Sequence, residues 1–135
     1  MDWTRSSLNQ LGYDVIAAAI EVHNFLGPGL LESVYEECLV EELKLRDFMV
    51  ERQVKVPLAY KGRKVKAPFL LDILVEDIFV VELKAVETIL PLHEAQLVSY
   101  MRLARKPKGV LINFNTRNIT RSAVHRVTEL FQHYT

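Results

Sequence analysis

Residues 69–84 of this chain read FLLDILVEDIFVVELK. Within this stretch two apolar runs, Phe69–Val75 and Ile78–Leu83, are joined by Glu76-Asp77. Both sides of each run are largely apolar, as in strands at the centre of a sheet that helices cover on both faces. The stretch therefore predicts two adjacent buried strands and an α/β fold.

Three ionisable residues interrupt these apolar strands, namely Asp72 in the first and Glu82 and Lys84 in the second. Burying an unpaired charge costs several kcal/mol, whereas an exposed ion pair contributes only about 0–1 kcal/mol. A divalent cation bound by two carboxylates would compensate their like charges. The residues therefore indicate a metal centre formed by Asp72 and Glu82, with Lys84 beside it.

The connection between the two strands decides whether such a centre can form. Side chains alternate along a strand, so Glu82 and Lys84 point to the same face. A two-residue turn at Glu76-Asp77 would place Asp72 and Glu82 on opposite faces. A three-residue connection over residues 76–78, or a bulge, pairs Asp72 directly with Glu82, and we predict such a connection.

The residues before this stretch predict two helices and a strand. Ser7-x-x-Gln10 resembles a capping box, and apolar residues then recur at helical spacing until Gly27-Pro28-Gly29. A second helix is predicted from Leu30 to Arg46, and a strand from Val50 to about Leu58, before a hairpin turn at Lys61-Gly62. The second helix is expected to expose Glu36, Glu37 and Glu41, and the strand to carry Val50, Arg52, Val54 and Val56 on one side.

The residues after the stretch predict a third helix from Leu92 to Ala104 and a buried strand over residues 109–114. Val124, Val127, Phe131 and Tyr134 recur at helical spacing and predict a C-terminal helix. The predicted order is α-α-β-β-β-α-β-α in a single domain over residues 1–135, with a mixed central sheet flanked by helices.

Charge is unevenly distributed along a chain whose net charge is zero. Residues 1–50 hold nine acidic and three basic side chains, and residues 95–135 hold one acidic and seven basic side chains. The neutral total argues against a protein that coats nucleic acid. The basic C-terminal third could contact phosphates, but charge alone favours the simpler interpretation that solvated helix faces differ in sign.

Composition and local motifs restrict the class of protein further. Half of the residues are apolar and a quarter are charged, which is typical of a globular protein, and no apolar run could span a membrane. Cys38 is the single cysteine, and no secretory signal is evident, so a reducing, cytoplasmic location is expected. The sequence contains no phosphate-binding glycine loop.

Further polar residues could belong to the centre. Gln96 and Tyr100 are four residues apart and share a helix face, although a half-buried core tyrosine explains Tyr100 equally well. Glu32 lies near the start of the second helix, where a carboxylate is favourable in any case. His93 has no ligand-spaced partner, which favours a capping or surface role. Lys61, Arg63, Lys64 and Lys66 surround the hairpin turn, either as a solvated tip or as phosphate contacts.

Several of these motifs together resemble a known group of proteins. The spacing Asp72-x9-Glu82-x-Lys84 resembles the D…ExK core of the PD-(D/E)xK nuclease superfamily, and Gln96-x-x-x-Tyr100 resembles the QxxxY motif of its RecB-like branch. Within that superfamily the chain is most similar to the GxxExxY proteins. This similarity rests on Gly29-Leu30-Leu31-Glu32-Ser33-Val34-Tyr35, Val81-Glu82-Leu83-Lys84-Ala85-Val86 and Leu111-Ile112-Asn113-Phe114.

The resemblance implies a restriction-endonuclease-like core and a metal-dependent nuclease. Asp72, Glu82 and the backbone carbonyl of Leu83, with Glu32, would bind Mg²⁺ or Mn²⁺. Lys84 would help to orient or activate the attacking water and would stabilise charge on the phosphate. Glu32 would match the acidic residue that the first core helix contributes to the catalytic site, and Gln96 and Tyr100 would support the site or touch the substrate. DNA is the expected substrate.

The same resemblance leaves two other functions open. The same centre would also act on RNA or a small nucleotide. Alternatively, the chain could be an inactive nuclease-fold protein that binds nucleic acid or acts as a self-associating assembly subunit. Among active forms, an exonuclease or structure-directed nuclease is favoured over a sequence-specific one, since the chain has little room for a base-reading module. No membrane partner is expected, and a homo-oligomer stays open.

Overall fold

A computed structural model describes residues 2–66 and 69–135 of the chain. Two helices come first, α1 (Arg5–Leu26) and α2 (Glu32–Leu45). The strands are β1 (Val50–Val56), β2 (Ala59–Tyr60), β3 (Arg63–Lys64), β4 (Phe69–Val75), β5 (Phe79–Lys84), β6 (Lys108–Asn113) and β7 (Val124–Val127). The later helices are α3 (Pro91–Leu103), the single-turn α4 (Ile119–Ser122) and a 3₁₀ helix (Glu129–His133).

The central sheet has five strands in the order β1-β4-β5-β6-β7. β5 and β6 are parallel, and the other neighbouring strands are antiparallel. Apolar residues of α1 and α2 pack on one face of the sheet, and Leu97 and Met101 of α3 pack on the other. The predicted fold class, a mixed sheet flanked by helices, is therefore confirmed.

The connection between β4 and β5 is the three-residue turn that the site requires. Val75 pairs with Phe79, so residues 76–78 form the turn, and the amide of Ile78 donates to the carbonyl of Val75 at 3.1 Å. Glu76 and Asp77 both have left-handed backbones, with φ of 53° and 55°. The predicted register is confirmed, because the ladder that pairs Ile73 with Val81 brings Asp72 beside Glu82.

The alternation of side chains along β1 reverses at Gln53. Val50 packs on the core beneath α1 and α2, whereas Val54 and Val56 belong to the core beneath α3. The prediction that Val50, Arg52, Val54 and Val56 share one side is therefore wrong. Gln53 has a φ of 53°, and this left-handed residue rotates the strand without adding a residue to the ladder with β4. The reversal lies beside Asp72.

The C-terminal segment is the other place where the predicted elements are wrong. Residues Val124–Val127 form a strand, with Val127 opposite Lys108 on β6, and only a short 3₁₀ helix follows. The open edge of β6 offers unpaired backbone groups, and β-branched residues fit such an edge well. This long-range pairing outweighs the helical spacing of the apolar residues.

Smaller boundary differences have local causes. Thr4 rather than Ser7 caps α1, and Ser7 completes the capping box from inside the helix. β1 ends at Val56 rather than Leu58, since Pro57 has no amide proton for the ladder. The predicted turn at Lys61-Gly62 is confirmed by the pairing of β2 with β3. In the described part of the chain, no helix combines the length and apolar character needed to cross a membrane.

Candidate functional site

Asp72 and Glu82 join β4 to β5 where the regular ladder between these strands ends. The amide of Asp72 donates to Glu82 Oε1 at 3.1 Å, and the amide of Leu83 donates to Asp72 Oδ2 at 2.8 Å. Each carboxylate thus takes a hydrogen bond from the main chain of the other strand. The two acids are held side by side, Glu82 buried and Asp72 half-buried.

Two like charges at this spacing disfavour ionisation of both groups. The pKa of Glu82 is raised to about 9, mainly by burial and secondly by the charge of Asp72. The charge of Lys84 acts in the opposite direction. Burial and the Asp72 charge also raise the pKa of Glu32. The positive charge of Lys84 therefore does not fully offset the clustered acids, and a bound cation would supply further positive charge.

Without bound metal, the stability of the protein should depend on the proton of the Glu82 carboxyl group. Because Glu82 binds it more tightly in the folded protein than in the unfolded chain, the free energy of unfolding should fall as pH rises from 4.5 towards about 9. Glu82→Gln, which mimics the protonated acid, should be at least as stable as the natural protein at pH 8 and lose much of that dependence. Urea titrations with EDTA at pH 5 and pH 8 measure both, and an unchanged pH dependence in the variant would contradict the assignment.

Lys84 and the carbonyl of Leu83 complete this part of the site. Lys84 lies on the same face of β5 as Glu82 and is half-buried. Its ammonium makes no salt bridge within residues 2–66 and 69–135. The carbonyl of Lys84 accepts from Phe114 on the β6 side, so the amide and carbonyl of Leu83, one residue earlier, face β4 and Asp72.

The start of α2 is fixed by the loop before it. Gly27 and Gly29 have φ of 73° and 96°, which L side chains rarely adopt. The buried Tyr35 hydroxyl donates to the Gly27 carbonyl and accepts from the Leu30 amide, which holds the loop against the helix. Glu32, the first residue of α2, is thereby directed to a cavity of about 250 Å³ that Asp72 also lines.

Removal of the Tyr35 hydroxyl should loosen this loop. Tyr35→Phe leaves the ring stacked on Phe114 but removes both hydrogen bonds, so we expect a loss of about 1–3 kcal/mol in the free energy of unfolding. Tyr60→Phe is the matched control, because Tyr60 is 65 % exposed. Urea denaturation measures both variants, and equal stability of Tyr35→Phe and Tyr60→Phe would contradict the bracing role of Tyr35.

A polar network beside the cavity differs from what the sequence predicts. Glu36 was expected to be exposed, but it is 6 % exposed and accepts from Arg52 at 2.8 Å and from Gln53 at 2.7 Å. Its position one turn after Glu32, on the same helix face, was an available signal. The left-handed backbone of Gln53 has no such signal in the sequence.

The three residues of α3 that were considered for the site lie in three different surroundings. The Tyr100 ring stacks on Phe69 at 4.5 Å, and burial together with the charges of Glu82 and Asp72 raises the pKa of its hydroxyl. Tyr100 is therefore a half-buried residue that packs against the α3-side core, with its hydroxyl near enough to the two carboxylates to be affected by their charge. Gln96 is exposed and makes no side-chain hydrogen bond to the residues described, so its role stays a prediction. His93 caps α3, since its Nδ1 accepts from the Leu90 amide at 3.0 Å.

Asn113, which ends β6 beside Lys84, holds the loop that leaves β5. Its side chain accepts from the amides of Val86 and Asn115 and donates to the carbonyl of Val86 at 2.8 Å. It is 4 % exposed. The sequence signal was a single amide within the apolar run GVLINF, and its role is to fix the backbone on either side of the site.

The donor set at the centre consists of oxygen atoms. No group of three or more His, Cys, Asp and Glu side chains in the residues described has the arrangement of a metal site, so Glu32 does not complete a three-carboxylate cluster with Asp72 and Glu82. Two carboxylates and the Leu83 carbonyl fit a hard cation that keeps several waters, as Mg²⁺ usually does.

The basic hairpin formed by β2 and β3 lies at the same end of the sheet as this centre. It connects the end of β1 to the start of β4, and β5 ends there because it is antiparallel to β4. Asp72 follows the start of β4 by three residues. Lys61, Arg63, Lys64 and Lys66 of the hairpin are all exposed.

Comparison with known proteins gives one family. The model of the PD-(D/E)XK nuclease superfamily matches residues 9–127, which include every residue of the candidate centre. No curated protein and no solved structure gives a significant match.

Proposed function

This chain belongs to the PD-(D/E)XK nuclease superfamily, and from that premise we propose that it is a metal-dependent nuclease that hydrolyses DNA phosphodiester bonds. The observation that supports this most is the pairing of Asp72 with Glu82 across two buried strands, with Lys84 on the same face. We further propose that the chain is a GxxExxY protein of the RecB-like branch. Gly29, Glu32 and Tyr35 support this, because Gly29 and Tyr35 shape the loop before α2 and Glu32 lines the cavity beside Asp72.

Asp72, Glu82 and the carbonyl of Leu83 would hold the cation. Their oxygen atoms suit Mg²⁺ or Mn²⁺, and the raised pKa of Glu82, caused by burial and by Asp72, is relieved by a positive charge. When bound, such an ion polarises a phosphoryl oxygen and lowers the pKa of a coordinated water. The cation would therefore stabilise the centre as well as enable the reaction.

The other residues act on the phosphate and the water. Lys84 carries an ammonium without a salt bridge to the described residues and would offset the negative charge that develops on the phosphate. Glu32, whose pKa is raised by burial and Asp72, would accept a proton or orient the water from the adjoining cavity. Tyr100 borders the carboxylates and would contact the nucleic acid, with Gln96 one turn away on the exposed helix surface.

The proposed reaction is exonucleolytic or structure-directed rather than sequence-specific. All described elements except the β2–β3 hairpin belong to the central sheet or its covering layers, which leaves no separate base-reading module among them. The hairpin presents a repeated positive charge, which binds phosphates without regard to sequence.

End-labelled single- and double-stranded DNA and RNA, incubated with Mg²⁺, Mn²⁺ or EDTA, test this proposal. We expect cleavage of DNA that requires a divalent cation and proceeds from ends or junctions. Cleavage in EDTA at the same rate, or no cleavage of any substrate with either metal, would contradict it.

The hairpin should contribute to substrate binding. Replacing Arg63 and Lys64 with glutamine should weaken DNA binding and reduce the slope of log K against log salt by about 0.9 for each phosphate that the protein no longer neutralises. Lys44→Gln with Arg105→Gln removes the same charge from other exposed positions and should leave the slope unchanged. Fluorescence anisotropy over a salt series measures both. An equal change in the two double variants would exclude a specific role for the hairpin.

A binding or assembly subunit without activity is the second candidate. Both carboxylates accept hydrogen bonds from the main chain of the neighbouring strand, so they have a role in holding the scaffold together apart from any catalysis. Calorimetry with Mn²⁺ separates the candidates: binding that Asp72→Asn abolishes supports the nuclease, and no binding supports the inactive subunit. Sedimentation of the same samples measures whether the chain forms a homo-oligomer.

A further inference from the structure

Lys108, the first residue of β6, is a buried cation outside the candidate centre. The residue is 8 % exposed, and its side chain packs against Gly12 of α1. Burial alone lowers its pKa. Lysines are almost never this deeply buried unless they are paired.

Lys108 has no anionic partner among the described residues to offset that cost. Within residues 2–66 and 69–135, no carboxylate lies within salt-bridge distance of its ammonium. The Phe131 ring lies 5.6 Å from the ammonium and provides a cation–π contact. The ammonium makes no hydrogen bond to the described residues and is not fully enclosed by them, so it stays accessible from the pocket. The described side chains therefore leave this positive charge without neutralisation.

The surroundings of Lys108 form a pocket that suits a small anion. Its volume is about 270 Å³, just below the range of about 300–1,000 Å³ for pockets that enclose drug-sized ligands. Asn9 and Tyr13 of α1 and His125 of β7 line it with Lys108. The charge of Lys108 contributes to a lowered pKa of His125, after burial, so the two groups are close enough to repel when both are charged.

We propose that this pocket binds a phosphate group, held by the Lys108 ammonium and the His125 imidazole with hydrogen bonds from Asn9 and Tyr13. Three ammonium hydrogens, the side-chain amide and the phenol are donors that match the acceptor oxygens of phosphate. A bound dianion would neutralise the buried lysine and let His125 carry its proton.

This site is separate from the candidate nuclease centre. Glu82 lies opposite Leu111 on β6, three residues from Lys108, a separation of about 10 Å along the strand. Lys108 packs towards α1, whereas Glu82 lies on the α3 face of the sheet. The phosphate pocket therefore does not depend on the proposed nuclease function.

Thermal unfolding and isothermal titration calorimetry with inorganic phosphate, at constant ionic strength and with EDTA, test the site. The natural protein should show saturable binding and a rise of a few degrees in melting temperature. Lys108→Met should fold, because it removes a buried charge, and should lose at least about tenfold in phosphate affinity. Lys55→Met removes an exposed cation and should keep the natural affinity.

Further measurements identify the source of the phosphate. A short oligonucleotide with a 5′-phosphate is compared with its unphosphorylated form, and binding that requires the phosphate in either probe supports the site. His125→Gln, at an exposed position, should weaken binding several-fold even if Lys108→Met does not fold. Unsaturable effects with both probes, or affinity unchanged in His125→Gln and in any folded Lys108→Met, would overturn the proposal.

Discussion

Asp72→Asn is expected to reduce DNA cleavage by about 10³-fold or more without unfolding the protein. Losing a single group that stabilises developing charge costs about 10²–10³-fold in rate, and Asp72 would also be lost as a ligand of the cation. The asparagine oxygen can still accept from the Leu83 amide, so β4 and β5 should stay joined. Single-turnover cleavage with Mn²⁺, together with urea denaturation, separates activity from folding.

Lysine variants give the matched control for this result. Lys84→Met should lower the cleavage rate by about 10²–10³-fold, whereas Lys55→Met, an exposed β1 residue of the same type, should cut at the natural rate. If Asp72→Asn and Lys84→Met both retain full activity, the centre does not carry the reaction, and any cleavage belongs to another site.

Gly109→Ala is expected to have the largest effect on stability. A Cβ at this position would lie 2.8 Å from the Val80 carbonyl oxygen and 3.0 Å from Met101 Sδ. The carbonyl belongs to a paired strand and cannot move without disturbing β5, so we expect a loss of about 2–3 kcal/mol. Urea denaturation measures the free energy of unfolding.

Gly12→Ala is the control that tests whether close packing at Gly109 causes the loss of stability. Its Cβ would meet the flexible end of Lys108 at 3.4 Å and the Phe79 ring at 3.5 Å, and alanine is favoured over glycine in a helix by about 0.5–1 kcal/mol. We expect this variant to be as stable as the natural protein or slightly more stable. A similar loss in both variants would show that the close approach at Gly109 is not the cause.

The pairing of β4 with β5 at the candidate site could be predicted from the sequence because it depends on residues that are close together in the chain. Three charges in two apolar strands were visible as anomalies, and a two-residue turn could be excluded if Asp72 and Glu82 were to share a face. The helices were found because their apolar residues recur at 3.6-residue spacing. These features depend on residues that are close in the sequence, so one sequence is enough to predict them.

The features that could not be predicted depend on contacts between distant residues. Burial of Glu36 is explained by Arg52 and Gln53, which reach it from β1, and neither partner is evident from α2 alone. The reversal at Gln53 comes from a backbone conformation that glutamine rarely adopts. The C-terminal strand likewise exists because β6 offers an edge to it.

The hydrogen bonds of the site also affect how relatives of this chain should be interpreted. Asp72 and Glu82 accept hydrogen bonds that join two strands, so a descendant that had lost its chemistry would still benefit from an acceptor side chain, an acid or its amide, at each position. In the described chain Lys84 has no salt bridge, and folding gives no comparable reason to retain it. A relative with an acid or an amide at both positions but no lysine at the position of Lys84 would therefore be expected to keep the fold without the reaction.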